Sequence, residues 1–247
     1  MISVHGLSKS FGALRAVNDL DFAAREGQVT SIIGPNGAGK STLFNLIAGT
    51  FPPDAGRIEL GDRDITGLPS HALAQLGLAR SFQITNLFFG LTALENVRLA
   101  AQAHEPRRRF FSRLDRVAAP EDRARAILAE FAIAELADEP VANLSHGDQR
   151  RLEIAVCMAS QPRLLLLDEP TQGMSPAETL AIDALIKSLA GRVTVLMIEH
   201  DVDLVMSISD HVIVLHQGQK LFEGPPVEVR NSSAVRAAYL GAEHAAL

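Results

Sequence analysis

Residues 34 to 41 read Gly34-Pro35-Asn36-Gly37-Ala38-Gly39-Lys40-Ser41 and fit the pattern G-x-x-x-x-G-K-[ST]. The residues on either side give this pattern its expected context. The preceding run, Val29-Thr30-Ser31-Ile32-Ile33, is typical of a buried strand. The run from Lys40 to Ala48 has helical periodicity and an apolar face made of Leu43, Leu46 and Ile47. The sequence therefore predicts a strand, a glycine-rich loop and a helix in direct succession.

A loop of this composition favours one class of ligand. Glycines let consecutive backbone N–H groups turn inward around a polyphosphate, and the helix N-terminus adds partial positive charge. Lys40 can reach the β- and γ-phosphates of a nucleoside triphosphate, and the Ser41 hydroxyl can hold Mg²⁺. The alternative, a glycine-rich turn with a chance lysine, leaves the joint presence of strand, loop, lysine, hydroxyl and helix unexplained. The loop residues predicted to bind the nucleotide are Asn36, Gly37, Ala38, Gly39, Lys40, Ser41 and Thr42.

The overall composition is that of an ordinary globular protein. Of 247 residues, 47% are hydrophobic and 21% are charged, and this length allows one large domain with a buried core. The formal net charge of −6 argues against a nucleic-acid partner, because nucleic acids favour a basic face. The arginines at 107–109, 113 and 116 form a local basic cluster, which is predicted to be a solvated face, with a binding patch as the alternative.

Neither a disulfide framework nor a membrane anchor is predicted. Cys157 is the one cysteine of the chain, which suits a reducing cytoplasm. The start, Met1-Ile2-Ser3-Val4-His5, lacks the basic and apolar regions of a signal peptide. No apolar run approaches the roughly 18 residues that a membrane-spanning helix needs. If the protein works at a membrane, we expect a partner to hold it there.

Strand and helix patterns divide the chain into three parts. Residues 1–30 are predicted to form short strands broken by turns, followed by a strand over 57–60. The middle part is helical, with helices predicted over 94–103, 121–137 and 147–159. From Arg163 onward strands and helices alternate, with a capping box from Ser175 to Glu178 and a hairpin around Gln217-Gly218. These patterns predict an α/β core with a helical insertion.

Two carboxylates follow a strongly apolar strand. Leu164-Leu165-Leu166-Leu167 leads directly into Asp168-Glu169, and ligands of parallel α/β sheets lie at the carboxyl edge of the strands. Asp168 is predicted to hold Mg²⁺ through a water, and Glu169 to polarise the water that attacks the γ-phosphate. The alternative is an acidic strand end that only caps the next loop.

A histidine and a glutamine complete the predicted phosphate site. His200 follows the buried strand over 193–198, at the same sheet edge, where a ring nitrogen can donate a hydrogen bond to the γ-phosphate. A structural role is the alternative for such a histidine. Gln83 precedes the helical insertion, and its side chain can contact Mg²⁺ or the attacking water.

A second anion site is predicted before the last helix of the insertion. The segment Leu144-Ser145-His146-Gly147-Asp148-Gln149-Arg150 carries an S-x-x-D capping pattern. One interpretation is only this cap. In the other, the Ser145 hydroxyl, the Gly147 N–H and the helix N-terminus hold a phosphate, and that phosphate belongs to the P-loop of a second copy.

Together these segments resemble the ATP-binding cassette (ABC) ATPases, over essentially the whole chain. The P-loop, Gln83, Leu144–Gln149, Asp168-Glu169 and His200 occur in the order of that family's Walker A, Q-loop, signature, Walker B and H-loop. The resemblance implies an α/β P-loop NTPase (RecA-like) core with an N-terminal antiparallel β subdomain and an inserted α-helical subdomain. We assign the core to 1–86 and 160–225, the helical subdomain to 87–159 and a C-terminal extension to 226–247.

The resemblance also implies roles for individual residues. The implied cofactors are ATP and Mg²⁺, with Ser41, Gln83 and Asp168 at the metal and with Glu169, His200 and Lys40 as catalytic residues. Phe11 fits the position where the family stacks an aromatic ring on adenine, with a core phenylalanine as the alternative. The segment departs from the usual L-S-G-G-Q at His146 and Asp148. Gly173-Met174-Ser175-Pro176 stands where the family often has S-A-L-D.

Several stretches are similar to the ATP-binding subunits of branched-chain (hydrophobic) amino acid importers, among them 79–83, 87–97, 144–153 and 238–241. The implied partners are transmembrane permease subunits, a second cassette, identical or homologous, and indirectly a substrate-binding protein. The implied location is peripheral, on the cytoplasmic side of the cell membrane. Relatives for urea, short amides or lipopolysaccharide export, a soluble ABC ATPase and a P-loop kinase are the alternatives. Leu87, Phe88 and Phe89 are predicted either to anchor a partner helix or to be buried.

Overall fold

The computed structural model describes residues 1–81, 87–102 and 118–243. Its strands are β1 (Ile2–Phe11), β2 (Leu14–Ala24), β3 (Val29–Ile33), β4 (Ala55–Leu60), β5 (Arg63–Asp64), β6 (Leu78–Arg80), β7 (Leu164–Asp168), β8 (Thr194–Ile198), β9 (His211–His216) and β10 (Gln219–Gly224). Its helices are α1 (Lys40–Ile47), α2 (Ser70–Gln75), α3 (Ala93–Gln102), α4 (Ala118–Glu130), α5 (His146–Ala159), α6 (Pro176–Leu189), α7 (Val202–Ile208), α8 (Pro226–Asn231) and α9 (Ser233–Glu243). Gln83 and the predicted arginine cluster at 107–109, 113 and 116 lie outside the described residues.

The strands form two sheets. An antiparallel sheet has the order β2-β1-β4-β5, and a six-stranded sheet has the order β10-β9-β3-β8-β7-β6. Five neighbouring strands of the second sheet are parallel, and β10 pairs antiparallel with β9 at its edge. Helices α3, α4 and α5 lie between β6 and β7 in the chain. This arrangement confirms the predicted fold class.

Strand β7 explains how the six-stranded sheet holds the molecule together. Leu164 and Leu166 pack into a core shared with the antiparallel sheet and α1, whereas Leu165 and Leu167 pack on the opposite face against helices. All four side chains are fully buried. Since successive residues of a strand point to opposite faces, a strand covered on both sides must be apolar throughout. The end of this strand is therefore held rigidly, and it carries the two predicted carboxylates.

The predicted helix over 121–137 is wrong at both ends. Helix α4 begins earlier, at Ala118, and ends at Glu130, and a short 3₁₀ turn follows at Ala134–Leu136. Ala132 has φ 53°, and the N–H groups of Ala132 and Ile133 donate to the carbonyls of Ala129 and Leu128. This is a Schellman ending, with alanine where glycine is usual, so the sequence carried no stop signal.

The N-terminal prediction of short strands is also wrong. Strands β1 and β2 have 10 and 11 residues, and they remain paired through three register shifts. Asp19 adopts φ 52° within β2. Residues that look like turns are thus absorbed as bulges, which bend a strand without ending it.

None of the helices within residues 1–81, 87–102 and 118–243 is long and apolar enough to cross a membrane.

Candidate functional site

The loop between β3 and α1 has the strained backbone that a phosphate-binding loop needs. Gly39 has φ 98°, and a Cβ at this position would lie 2.3 Å from the Ala16 carbonyl oxygen. Only glycine fits here, because the left-handed conformation and the close backbone approach both exclude a side chain. The Ala38 N–H donates to the Pro35 carbonyl at 3.1 Å. Helix α1 begins directly after this turn.

Lys40 lies folded inside this loop. Its Nζ donates to the carbonyl oxygens of Gly34 at 2.6 Å and Pro35 at 3.1 Å. Burial lowers the pKa of the Lys40 ammonium, and the negative charge of Glu169 partly opposes this shift. The ammonium is thus held at the centre of the loop by two neutral acceptors. A phosphate is a stronger, charged acceptor for the same group.

One pocket brings the loop together with the ends of β7 and β8. It has a volume of about 480 Å³, which is in the range of small-molecule sites. Its walls come from the loop, from β2 and from the segments after β7 and β8. The lining residues are Leu14, Arg15, Ala16, Asn36, Gly37, Ala38, Gly39, Lys40, Ser41, Thr42, Glu169, His200 and Gln217.

Glu169 and His200 meet at the edge of this pocket. The Glu169 Oε1 and His200 Nε2 atoms are 2.5 Å apart, and the Glu169 side chain is nearly buried whereas that of His200 is half exposed. Glu169 has φ 48°, a left-handed conformation that is uncommon for residues other than glycine. Strained residues of this kind cluster at active sites. The structure thus brings together two of the predicted catalytic side chains and the loop that holds the third.

Asp168 lies behind the pocket and is not part of its lining. Its carboxylate is buried and accepts a hydrogen bond from Arg80 Nη2 at 3.0 Å. Arg80 also donates to Asn45 Oδ1 at 2.8 Å, so β6, β7 and α1 are tied at one point. Sequence reasoning gave Arg80 no role. The pairing of β6 with β7, which was not predicted, is what places Arg80 beside Asp168.

The donor set in this region fits Mg²⁺. The ion prefers hard oxygen ligands and usually takes one or two from the protein and the rest from phosphates and water. The Ser41 hydroxyl is exposed at the start of α1, and the Asp168 carboxylate lies at the end of the adjacent sheet. Both supply oxygen.

Glu199 is a second residue that sequence reasoning missed. Its buried carboxylate accepts hydrogen bonds from the Thr171 N–H at 3.1 Å, the Thr171 hydroxyl at 2.7 Å and the His200 N–H at 3.0 Å. It therefore ties the segment after β7 to the segment after β8. A charged residue inside a predicted buried segment was the available signal, because buried carboxylates need several donors.

The predicted second anion site, at the start of α5, is not in the pocket lining. Ser145 caps the helix, since its Oγ accepts from the Asp148 N–H at 3.2 Å. The Glu178 carboxylate of α6 lies against the same turn. Hydrogen bonds from the Ser175 hydroxyl, and further ones from the Ser175 and Gly147 N–H groups, lower the pKa of Glu178. The turn thus already faces an anion from within the chain.

Phe11 does not line the pocket either. It lies at the end of β1, 48% exposed, and its ring packs edge-on against Phe51 with centroids 5.5 Å apart. The Lys9 ammonium is 5.8 Å from its centroid. The core alternative is wrong because the ring is half exposed, and the proposed stacking on adenine stays a prediction.

The apolar segment before α3 divides into buried and exposed residues. Leu87 is 7% exposed, whereas Phe88 and Phe89 are 62% and 44% exposed. The buried Asn96 side chain accepts from the Phe88 N–H at 2.8 Å and donates to the Phe88 carbonyl at 3.2 Å. The two aromatic rings are thus presented outward on a fixed backbone.

The sequence matches two family models. The model described as ABC transporter matches residues 17–172, and the model described as branched-chain amino acid ATP-binding cassette transporter matches residues 219–245. Among curated proteins, the chain is 44% identical to the high-affinity branched-chain amino acid transport ATP-binding protein LivG of Salmonella typhimurium, with 98% of each chain covered.

Solved structures give the same result in three dimensions. The chain superposes on the ADP conformation of MJ1267, an ATP-binding cassette of an ABC transporter, with a TM-score of 0.85, 30% identity and 98% of each chain covered. It also superposes on the dimeric post-hydrolysis state of the cassette MJ0796 bound to ADP and Pi, with a TM-score of 0.78 and 27% identity, covering 92% of this chain and 99% of that one. The chain belongs to the ABC transporter family, as one of its ATP-binding cassettes.

Proposed function

We propose that this chain is the ATP-hydrolysing subunit of a membrane importer for branched-chain amino acids. The observation that carries this proposal is the single pocket in which the Gly34–Ser41 loop, Glu169 and His200 converge. Family membership makes the chain an ATPase cassette, and the pocket supplies the groups that hydrolysis requires. The transported substrate is inferred from the name of LivG and from the match over 219–245.

The chemistry follows from the positions of three side chains. Lys40 exchanges its two carbonyl acceptors for β- and γ-phosphate oxygens and neutralises their charge. The Glu169 carboxylate accepts a proton from the attacking water, while the bond from the γ-phosphorus to the ADP oxygen breaks and inorganic phosphate forms. His200 donates a hydrogen bond to the γ-phosphate and orients Glu169 through their contact.

Mg²⁺ is proposed to be held by Ser41 and Asp168, with Gln83 as a further ligand. When bound, the ion neutralises charge on the β- and γ-phosphate oxygens. Arg80 holds the Asp168 carboxylate ionised at the sheet edge through their 3.0 Å ion pair.

A second cassette is proposed to complete each site. The start of α5 carries a capped helix N-terminus that attracts an anion, yet Ser145 and Gly147 are absent from the wall of the chain's own pocket. The MJ0796 relative, which is dimeric with ADP and Pi, supports pairing of two cassettes. In this arrangement ATP lies between the loop of one copy and Ser145 and Gly147 of the other.

Transmembrane permease subunits are the proposed membrane partners, and they would hold the chain at the cytoplasmic face of the membrane. Phe88 and Phe89 are apolar anchors of the kind that insert between helices of a partner. Closure of the two cassettes around ATP would draw the partner helices together, and hydrolysis would release them.

Glu169→Gln tests the catalytic proposal. The variant should bind ATP as the natural chain does, lose nearly all turnover and accumulate an ATP-bound dimer. Phosphate release and size-exclusion chromatography measure these effects, and Glu26→Gln at an exposed site is the control. Undiminished turnover in Glu169→Gln would remove Glu169 from the role of base.

A mixed dimer tests the shared site. A copy with Ser145→Ala paired with a copy carrying Lys40→Ala retains one composite site in which both groups are natural, and about half the turnover should remain. If each chain is self-contained, both copies are defective and the mixture should be as inactive as either variant alone.

Substrate uptake tests the transport proposal separately. With its permease subunits in vesicles, the chain should drive uptake of labelled leucine when ATP is on the side of the cassette. Uptake of urea or short amides in place of leucine would overturn the substrate class while leaving the ATPase proposal intact.

A further inference from the structure

Glu169 sits in a backbone conformation that its neighbours must impose. Its φ of 48° is left-handed, a region that residues with a Cβ avoid. Its own N–H donates to the Ile198 carbonyl of β8 at 3.0 Å, which fixes one side of the residue. A second restraint is needed to set the peptide planes on both sides, and these planes decide where the carboxylate points.

Arg150 of α5 supplies that restraint. Its Nη2 donates to the Asp168 carbonyl at 2.8 Å, and its Nε donates to the Pro170 carbonyl at 3.1 Å. These are the carbonyls of the residues immediately before and after Glu169. A guanidinium can donate in two directions from one rigid plane, whereas a lysine ammonium is a point donor on a flexible stem.

The guanidinium is built into the interior for this purpose. The Arg150 side chain is only 9% exposed, and its Nη1 donates to Glu153 Oε2 at 2.5 Å. The neighbouring Glu153 carboxylate therefore balances the charge that burial would otherwise disfavour. Three hydrogen bonds from one buried side chain leave little freedom for either carbonyl.

The position of Arg150 in α5 gives the restraint a direction. The residue lies in the second turn of the helix that Ser145 caps, and Ser145 and Gly147 form the surface proposed to receive the second cassette's nucleotide. A small cavity of about 70 Å³ has His146 of the first turn and Glu169 in the same wall. A displacement of α5 on contact with that nucleotide is thus passed through Arg150 to the peptides around Glu169.

We infer that Arg150 is a positioning residue for hydrolysis, which holds Glu169 in its active orientation and makes that orientation depend on the placement of α5. This inference rests on the proposed role of Glu169 as base. It assigns to Arg150 no contact with the nucleotide, and it separates Arg150 from Arg151, whose side chain pairs with Asp148 at 3.5 Å and is partly exposed.

Arg150→Lys tests the inference, because it keeps the charge and the pairing with Glu153 but cannot hold both carbonyls. We expect kcat to fall about tenfold to a hundredfold, with the KM for ATP and the affinity for ADP unchanged within about twofold. Arg151→Lys is the matched control and should retain kcat. A kcat for Arg150→Lys equal to that of the natural chain would overturn the inference.

Two further variants keep the test decisive. Glu153→Gln leaves the two carbonyl bonds of Arg150 in place, so it should keep kcat within about twofold even where thermal stability falls. A loss of kcat in Glu153→Gln as large as that in Arg150→Lys would assign the effect to folding and overturn the inference. In a Glu169→Gln background, Arg150→Lys should change kcat no further, and an additional loss of tenfold or more would overturn it. If Glu169→Gln alone retains full turnover, the proposed function has failed, whatever Arg150→Lys does.

Discussion

At the scale of single residues, Gly39 is where the backbone of the phosphate loop leaves no alternative. Gly39→Ala places a Cβ 2.3 Å from the Ala16 carbonyl at φ 98°, so the loop must move away from β2. We expect a loss of several kcal/mol in the free energy of unfolding and loss of ATP binding, measured by urea denaturation and nucleotide titration. Gly12→Ala is the control, since Gly12 has φ 60° with no atom within 4 Å of its Cβ. It should lose only about 1 kcal/mol, and equal losses in the two variants would contradict the clash.

Glu199 shows how one buried carboxylate joins two strand ends. Glu199→Ala removes the acceptor of the Thr171 N–H and hydroxyl and of the His200 N–H, leaving buried donors unpaired. We expect a loss of about 3 kcal/mol in the free energy of unfolding and a smaller loss, about 1 kcal/mol, for Glu199→Gln, which keeps one acceptor oxygen. Urea denaturation of both variants measures the difference. A smaller loss for alanine than for glutamine would show that these hydrogen bonds contribute little.

At the scale of elements, α6 carries a titratable group that sets a pH dependence. Burial, and then the charges of Glu199 and Asp201, raise the pKa of Asp183 to about 6 from a model value of 3.8. The folded state therefore binds this proton more tightly, so stability falls as pH rises from about 4 to about 6 and stays lower above that. Asp183→Asn should raise the free energy of unfolding at pH 7 by about 1 kcal/mol after allowance for solvent screening. The gain should vanish near pH 4.

Thermal unfolding of Asp183→Asn across pH 4 to 8 measures this effect. Asp203→Asn on α7 is the matched control, because the Asp203 side chain is 93% exposed and its substitution should change stability little at any pH. A gain from Asp183→Asn that is as large at pH 4 as at pH 7 would rule out ionisation as its cause.

Elements with local signals were predictable from the sequence, and elements defined by distant contacts were not. The capping boxes at Ser145 and Ser175 follow from residues three apart, and the apolar run of β7 follows from burial on both faces. Arg80 and Glu199 were missed because their partners lie 88 and 28 residues away in the chain. The ending of α4 was missed because Ala132 adopts a conformation that its residue type does not indicate.

The candidate site was predictable for a related reason. Its groups follow strand ends, and parallel strands bring their carboxyl ends to one edge. The loop, Glu169 and His200 could therefore be placed together before the sheet order was known. Which carbonyls Arg150 holds depends instead on how α5 packs beneath β7, and no short sequence pattern specifies that packing.

At the scale of the whole molecule, the exposed pair Phe88 and Phe89 marks the surface proposed for the permease subunits. Phe88→Asp with Phe89→Asp should leave the free energy of unfolding and the basal ATPase activity nearly unchanged, because both rings are exposed and Leu87 keeps its burial. Association with the transmembrane subunits should fall by at least tenfold, since two apolar anchors are replaced by charges. Co-purification of the chain with its tagged permease subunits measures the association. Val227→Asp on α8 is the control, because Val227 is 71% exposed and lies outside the segment. Retention of the double variant by the permease at the level of Val227→Asp would move the docking surface elsewhere on the cassette.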